Sequence, residues 1–173
     1  MTRKILVYIM HAWFLFLLQV FVLNNVYIFG LVHPYIYFFF ILILPVNLQK
    51  TVVLIIAFIL GFLTDIFSNT YGIHTAATVL IAFIRPVILA QFISDVPADT
   101  VIEPHLRIMG IRPFLFYVTI LTAIHQFSIY LLEIFSLRYF GFTFLKILIS
   151  LFFSVIFVLL YELLFFLNRV KEQ

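Results

Sequence analysis

Residues 51–86 read TVVLIIAFILGFLTDIFSNTYGIHTAATVLIAFIRP. The run 51–67 carries a single charge, Asp65. As a helix it spans about 26 Å at 1.5 Å per residue, close to the hydrocarbon thickness of a bilayer. A short polar turn follows, Ser68-Asn69-Thr70-Tyr71-Gly72, and a second apolar run extends over 73–93, disturbed by Arg85-Pro86. Two apolar runs joined by so short a turn predict an antiparallel helical hairpin whose solvent is lipid.

The rest of the chain agrees with that reading. Of 173 residues, 66% are hydrophobic, 20% aromatic and 10% charged, with a mean hydropathy of +1.27. A soluble domain carries roughly 45–50% apolar and about 25% charged residues, so too few charges are present to cover a water-facing surface of this size. The absence of Cys removes disulfides, iron–sulfur clusters and thiolate zinc sites. The net charge of +3 would suggest nucleic acid in a soluble protein, but the basic residues are thinly spread between apolar runs. They read as determinants of membrane orientation, and no nucleic acid partner is expected.

Working outward, the apolar runs predict an all-α membrane protein, a six-transmembrane helical bundle forming one integral membrane domain over 1–173. The spans are 5–23, 26–44, 51–67, 73–93, 113–135 and 143–167, with a hydrophilic loop at 94–112. The first run follows Arg3-Lys4 but is longer than a signal peptide's apolar core and lacks its cleavage site, so it is read as a retained helix. The second is interrupted by Gly30 and His33-Pro34. It is either kinked there or shortened to a helix over 34–44, and in both versions it crosses once. Six spans place both termini on one side. Arg3, Lys4, Lys50, Arg107, Arg112, Arg169 and Lys171 then share a face against Arg138, so the positive-inside rule makes both termini cytoplasmic.

Polar residues inside apolar runs call for individual readings, because each costs several kcal/mol in hydrocarbon. Asp65, at the outer end of the third span, is read as an anchor of the hairpin through His74 or the Thr70 hydroxyl. Arg85 is read as snorkelling to headgroups in preference to a partner contact; an Asp65–Arg85 bridge is not expected, because their depths differ. His11, Gln19, His125 and Gln126 are read as interhelical hydrogen-bonding groups, and Glu133 and Glu162 as facing headgroups. The five His residues show no metal-ligand spacing, and no metal or cofactor is expected. Small residues cluster only over 61–78, which predicts that spans three and four approach most closely. The Phe-rich stretches 38–40, 152–153 and 165–166 are expected to face lipid or another membrane protein. No G-x-S-x-G, H-E-x-x-H or Walker A motif occurs.

Gly61-Phe62-Leu63-Thr64-Asp65-Ile66-Phe67-Ser68, then Tyr71-Gly72-Ile73-His74, resembles the pattern G-[FL]-x-x-D-x-x-S, turn, G-x-H of the MreD family, the rod-shape-determining membrane proteins. The turn has Asn69 where that pattern carries a glycine. The motif covers about two dozen residues, and the remainder matches in length and hydropathy. The resemblance implies a bundle similar to the S components of energy-coupling-factor transporters. It also implies a non-enzymatic role in the cell-wall elongation machinery of the bacterial inner membrane, required for rod shape. The implied partners are an MreC-like bitopic membrane protein, an MreB-like filament and the peptidoglycan synthases. By matching position it marks Gly61, Asp65, Ser68, Gly72 and His74 as structural or partner-binding residues, to which Arg85 is added as a candidate from the fourth span. The alternative is a substrate-binding membrane subunit of a vitamin-type transporter, which would need a polar pocket. An intramembrane enzyme would need titratable groups converging at one depth, such as Asp65, His74 and Glu133.

Overall fold

The computed structural model describes residues 2–26, 33–93, 102–134 and 140–165, with side chains described for 5–26, 33–93, 102–133 and 144–165. The described chain is all-helical: α1 Thr2–Leu17, α2 Phe39–Ile43, α3 Lys50–Ser68, α4 Ile73–Leu89, α5 Leu106–Met109, α6 Ile111–Ile134 and α7 Phe140–Phe165. Helix α1 runs on through a π-helical turn, Leu18–Val22, and a 3₁₀ turn, Leu23–Asn25. Among the described residues, four helical stretches are long and apolar enough to cross a membrane: Ile5–Asn25, Lys50–Ser68, Ile111–Glu133 and Phe144–Phe165. That is the coarse architecture of a helical membrane protein. Helix α4, with 17 residues, is shorter but equally apolar. Outward faces carry large apolar side chains such as Phe83 and Phe152, and α6 turns a stripe inward through Phe114, Tyr117, Val118 and Leu121.

Helices α3 and α4 form the tightest pair, and Gly61 explains why. A Cβ on Gly61 would lie 2.6 Å from the Thr75 Cα and 3.0 Å from the His74 carbonyl, so only glycine permits this approach. Gly72 has a different reason: a Cβ there would meet nothing, but its φ of 85° is left-handed. Asn69 ends α3 at φ 57°, taking the left-handed cap position that glycine more often holds.

The second predicted span differs from expectation. In its described part, 33–44, only Phe39–Ile43 is helical; residues 27–32, Gly30 included, lie outside the described residues. So do the loop segment 94–101, residues 135–139 with Arg138, and 166–173. The chain from His33 to Ile36 has no helical structure and turns through Tyr37-Phe38 into α2. Pro34 has no N–H to donate to a helix and restricts His33 before it. The segment runs through the middle of the bundle. Tyr35 packs edge-on to His74 at 5.3 Å, and the Leu44 carbonyl accepts from Arg85. Residues 35–44 therefore traverse the depth that α4 covers from His74 to Arg85, about 16 Å at 1.5 Å per residue.

Phe38, Phe39 and Phe40 were expected to face lipid or another membrane protein. They are buried instead, because residues 34–44 are all enclosed by the surrounding helices. Non-helical backbone at membrane depth is tolerated only inside protein, and its polar groups need partners there. The helices supply them. In the π-turn, Gln19 Oε1 accepts from the Ile36 N–H at 2.8 Å and Nε2 donates to the Pro34 carbonyl at 3.3 Å. Ser150 donates to the His33 carbonyl at 2.6 Å, and Ser154 Oγ accepts from the Tyr35 N–H at 2.8 Å. Tyr117 donates to the Leu42 carbonyl at 2.9 Å.

Gln19→Leu strands the Ile36 N–H and the Pro34 carbonyl at once. The expected loss in unfolding free energy is about 2–6 kcal/mol, from about 1–3 per unpaired buried group. Phe152→Leu, on the outward face, is expected to stay within about 0.5 kcal/mol. Denaturant unfolding in detergent micelles separates the two; equal effects would contradict the assigned role of Gln19.

Candidate functional site

The sequence motif folds into a clasp at the end of the bundle where α3 turns into α4. Asp65 is buried in the last turn of α3. Its Oδ1 accepts from the Thr70 hydroxyl at 2.5 Å and the His74 N–H at 3.0 Å; its Oδ2 accepts from the Thr75 N–H at 2.8 Å and the Thr75 hydroxyl at 2.5 Å. Three of the donors come from the first turn of α4, whose N–H groups have no intrahelical acceptor, and a carboxylate there also complements the helix dipole. Ser68 Oγ accepts from Asn24 at 2.9 Å, and Asn24 Oδ1 accepts from Gln19 at 2.8 Å. The clasp is thereby linked to the residue that holds the central segment.

Below the clasp lies a column of polar rings. Tyr37 Oη is within 3.2 Å of His74 Nδ1, 3.0 Å of Thr78 Oγ1 and 2.9 Å of His125 Nε2. Thr78 gives its only hydroxyl hydrogen to the His74 carbonyl, so the Thr78 oxygen must accept from Tyr37. Tyr37 Oη then accepts from both imidazoles, which assigns a proton to His74 Nδ1 and to His125 Nε2. The His125 ring stacks on Phe38 with centroids 4.3 Å apart. Three enclosed atoms nearby on α6 have no partner among the described residues: Thr122 Oγ1, His125 Nδ1 and Gln126 Oε1.

Arg85 stands apart from the other predicted residues, on the far side of the central segment. The snorkelling expectation fails: its residue exposure is 3%, and the side chain turns inward. Nε donates to Tyr117 Oη at 3.2 Å, and Nη2 donates to the carbonyls of Leu42, at 3.4 Å, and Leu44. These carbonyls end α2 and lack helical donors, and a guanidinium can serve several at once.

The opposite end also holds a cluster that the sequence reading passed over. Glu162, expected at headgroups, is fully buried. It accepts from the Leu106 N–H at 2.9 Å and contacts His105 Nδ1 at 3.2 Å, while His105 Nε2 contacts Glu103 at 3.1 Å. Tyr8 donates to Glu103. Residues 103–106 are thus tied to α1 and α7. Burial alone would lower the His105 pKa, but hydrogen bonds and charge from Glu103 and Glu162 outweigh it and raise the value above 6.5.

Five of the six predicted residues therefore gather at one end, and Arg85 serves another task. Gln19 was read as a hydrogen-bonding group, though not for the central segment; the missed ones are Tyr37, Tyr117, Ser150, Ser154 and His105. A signal existed for two of them: Ser150, Ser154 and Val158 fall four residues apart on the buried stripe of α7. Asp65, His74 and Glu133 do not form one reactive cluster, since Asp65 is occupied by the hairpin and Glu133 is exposed. Among the described residues, no group of three His, Asp or Glu side chains is placed to hold a metal ion. On the outside, α1, α3 and the end of the central segment border an apolar groove of about 590 Å³, lined by Ile9, Ala12, Trp13, Phe16, Ile56 and Ile59 among others. No protein family, curated protein or solved structure matches the chain.

Asp65→Ala removes four acceptor contacts, three of them from part-buried donors, and is expected to destabilise by about 2–6 kcal/mol, at about 0.5–1.5 for each bond. Asp65→Asn, which keeps one oxygen acceptor, is expected to fall between wild type and Ala in micellar unfolding. For His105 the sign follows from its raised folded pKa. The contribution is full below about 6.5 and is lost as the pH rises through the folded value. The midpoint difference between wild type and His105→Gln should therefore shrink from about pH 6 to about pH 9. A difference that grows with pH would contradict the clamp.

Proposed function

We propose that this chain is a non-enzymatic membrane scaffold of the MreD type in the bacterial cell-wall elongation machinery. In this reading it crosses the inner membrane six times, the buried segment 33–44 belonging to one crossing, with both termini in the cytoplasm. The distribution of Lys and Arg supports that orientation. The partner is an MreC-like bitopic protein, and through it the scaffold connects an MreB-like filament to the peptidoglycan synthases.

The observation that carries the proposal is the contrast between the inside and the outside of the bundle. Polar side chains such as Gln19, Asp65, Ser154 and Arg85 are engaged in holding the chain to itself. The outer groove between α1 and α3 offers apolar surface, its lining including the small Ala12 beside Trp13 and Phe16. Such a wall suits a single helix from another membrane protein, because association in lipid proceeds by close packing around small residues. The resemblance of residues 61–74 to the MreD pattern is what suggests the identity of that partner.

The transporter-subunit reading draws on one observation, the three unpartnered polar atoms of Thr122, His125 and Gln126. A small molecule retained through purification would favour it.

Ala12→Phe fills the groove without touching the polar interior. Tagged wild-type protein is expected to copurify with the MreC-like partner from membranes, and Ala12→Phe to lose at least about tenfold of it, the effect of about 1.4 kcal/mol, at unchanged membrane abundance. Undiminished copurification would remove the groove as the docking face.

A further inference from the structure

A second cavity, of about 320 Å³, lies at the end of the bundle away from the clasp. It is walled by the start of α3, the end of α4 and the connection between α2 and α3. The residues that matter are Asn47, Lys50, Val53, Arg85, Pro86 and Leu89. Its charged lining residues are Lys50 and Arg85, both cationic.

The two cations stand at one level. Helices α3 and α4 touch where Gly61 meets Thr75. From there Lys50 is eleven residues down α3 and Arg85 ten down α4, about 16 and about 15 Å at 1.5 Å per residue. The helices are antiparallel, so the two residues stand at the same depth, each lining the cavity from its own helix. Lys50 opens a helix that is long and apolar enough to span a membrane, so this depth is where that helix leaves hydrocarbon.

Arg85 is buried at 3% exposure, yet its hydrogen-bond partners are neutral: one tyrosine hydroxyl and two carbonyls. Among the described residues no carboxylate pairs with it. Nη1 is not used by those three bonds, and Arg85 lines the cavity. A buried charge without a counter-charge is costly. The start of α3 adds to the positive field, since Gln49 gives it no side-chain cap and its first N–H groups lack intrahelical acceptors.

We propose that this cavity binds a phosphate group, carried by a membrane phospholipid or free in solution. Arg85 supplies a fixed donor from within, Lys50 a mobile one at the rim, and the α3 terminus further N–H groups. Val53, Pro86 and Leu89 form apolar walls against which the first carbons of a lipid's acyl chains would pack. The site is separate from the groove between α1 and α3, so it stands whether or not the scaffold reading does.

The test uses the full chain purified in detergent. Native mass spectrometry compares phosphatidylglycerol with diacylglycerol, which lacks the phosphate, and thermal unfolding is followed with and without inorganic phosphate. The variants are Lys50→Gln, Lys50→Arg and Arg85→Lys. Lys50 is exposed, so Lys50→Gln leaves the fold intact even if Arg85→Lys weakens the end of α2. Wild type is expected to retain phosphatidylglycerol over diacylglycerol. Lys50→Gln should reduce that retention about fivefold, the contribution of one near-surface lysine to anionic-lipid attraction, and Lys50→Arg should restore it. This result assigns the site to a lipid phosphate. Stabilisation of wild type but not Lys50→Gln by inorganic phosphate, without lipid preference, assigns it to the free ion. Equal behaviour of wild type and Lys50→Gln toward both probes overturns the proposal.

Discussion

A backbone that leaves the helical conformation inside an apolar bundle must find hydrogen-bond partners within it. The segment from His33 to Leu44 imposes that constraint here, and much of the polar chemistry answers it. Gln19 serves Pro34 and Ile36, Ser150 and Ser154 serve His33 and Tyr35, and Tyr117 and Arg85 serve the last carbonyls of α2. An unpaired amide or carbonyl in such surroundings costs a few kcal/mol. Each of these side chains is therefore stabilising chiefly because its absence would leave a hole in the bonding of the central chain.

This arrangement also sets how the helices stand around that chain. Hydrophobic attraction gives little order to helices in lipid, where packing and matched polar groups decide. The π-turn after α1 aims Gln19 inward, the buried stripe of α7 presents Ser150 and Ser154, and α6 presents Tyr117. Helix α3 joins through the Gly61 contact and the Asp65 clasp rather than through the central segment. His74 belongs to both systems, with its N–H on Asp65 and its ring against Tyr35 and Tyr37. The clasp and the column thus act as one structural unit.

The hairpin was legible because its information is local: apolar runs, a polar turn, small residues and one carboxylate lie within about two dozen residues. The boundaries expected for the third span, 51–67, differ from α3 by one residue at each end. The second span was not legible in the same way. Hydropathy over 26–44 is high whether the chain is a lipid-facing helix or a buried, partly extended segment, and only Pro34 hinted at the difference. The same ambiguity misplaced Phe38 to Phe40 and turned Arg85 outward. Arg85 is explained by carbonyls some forty residues earlier in the chain, and Glu162 by His105, across a loop that hydropathy reads as surface. Such pairings depend on tertiary placement, which periodicity does not encode.

Carbon chemical shifts from solid-state NMR of the protein in lipid bilayers would test the central claim most directly. The account predicts shifts of extended backbone at Pro34, Tyr35 and Ile36, and helical shifts beginning at Phe39 and ending at Ile43. Helical shifts running unbroken from before Pro34 to Leu44 would contradict it, for the side chains of Gln19, Ser150 and Ser154 would then have no exposed backbone to serve.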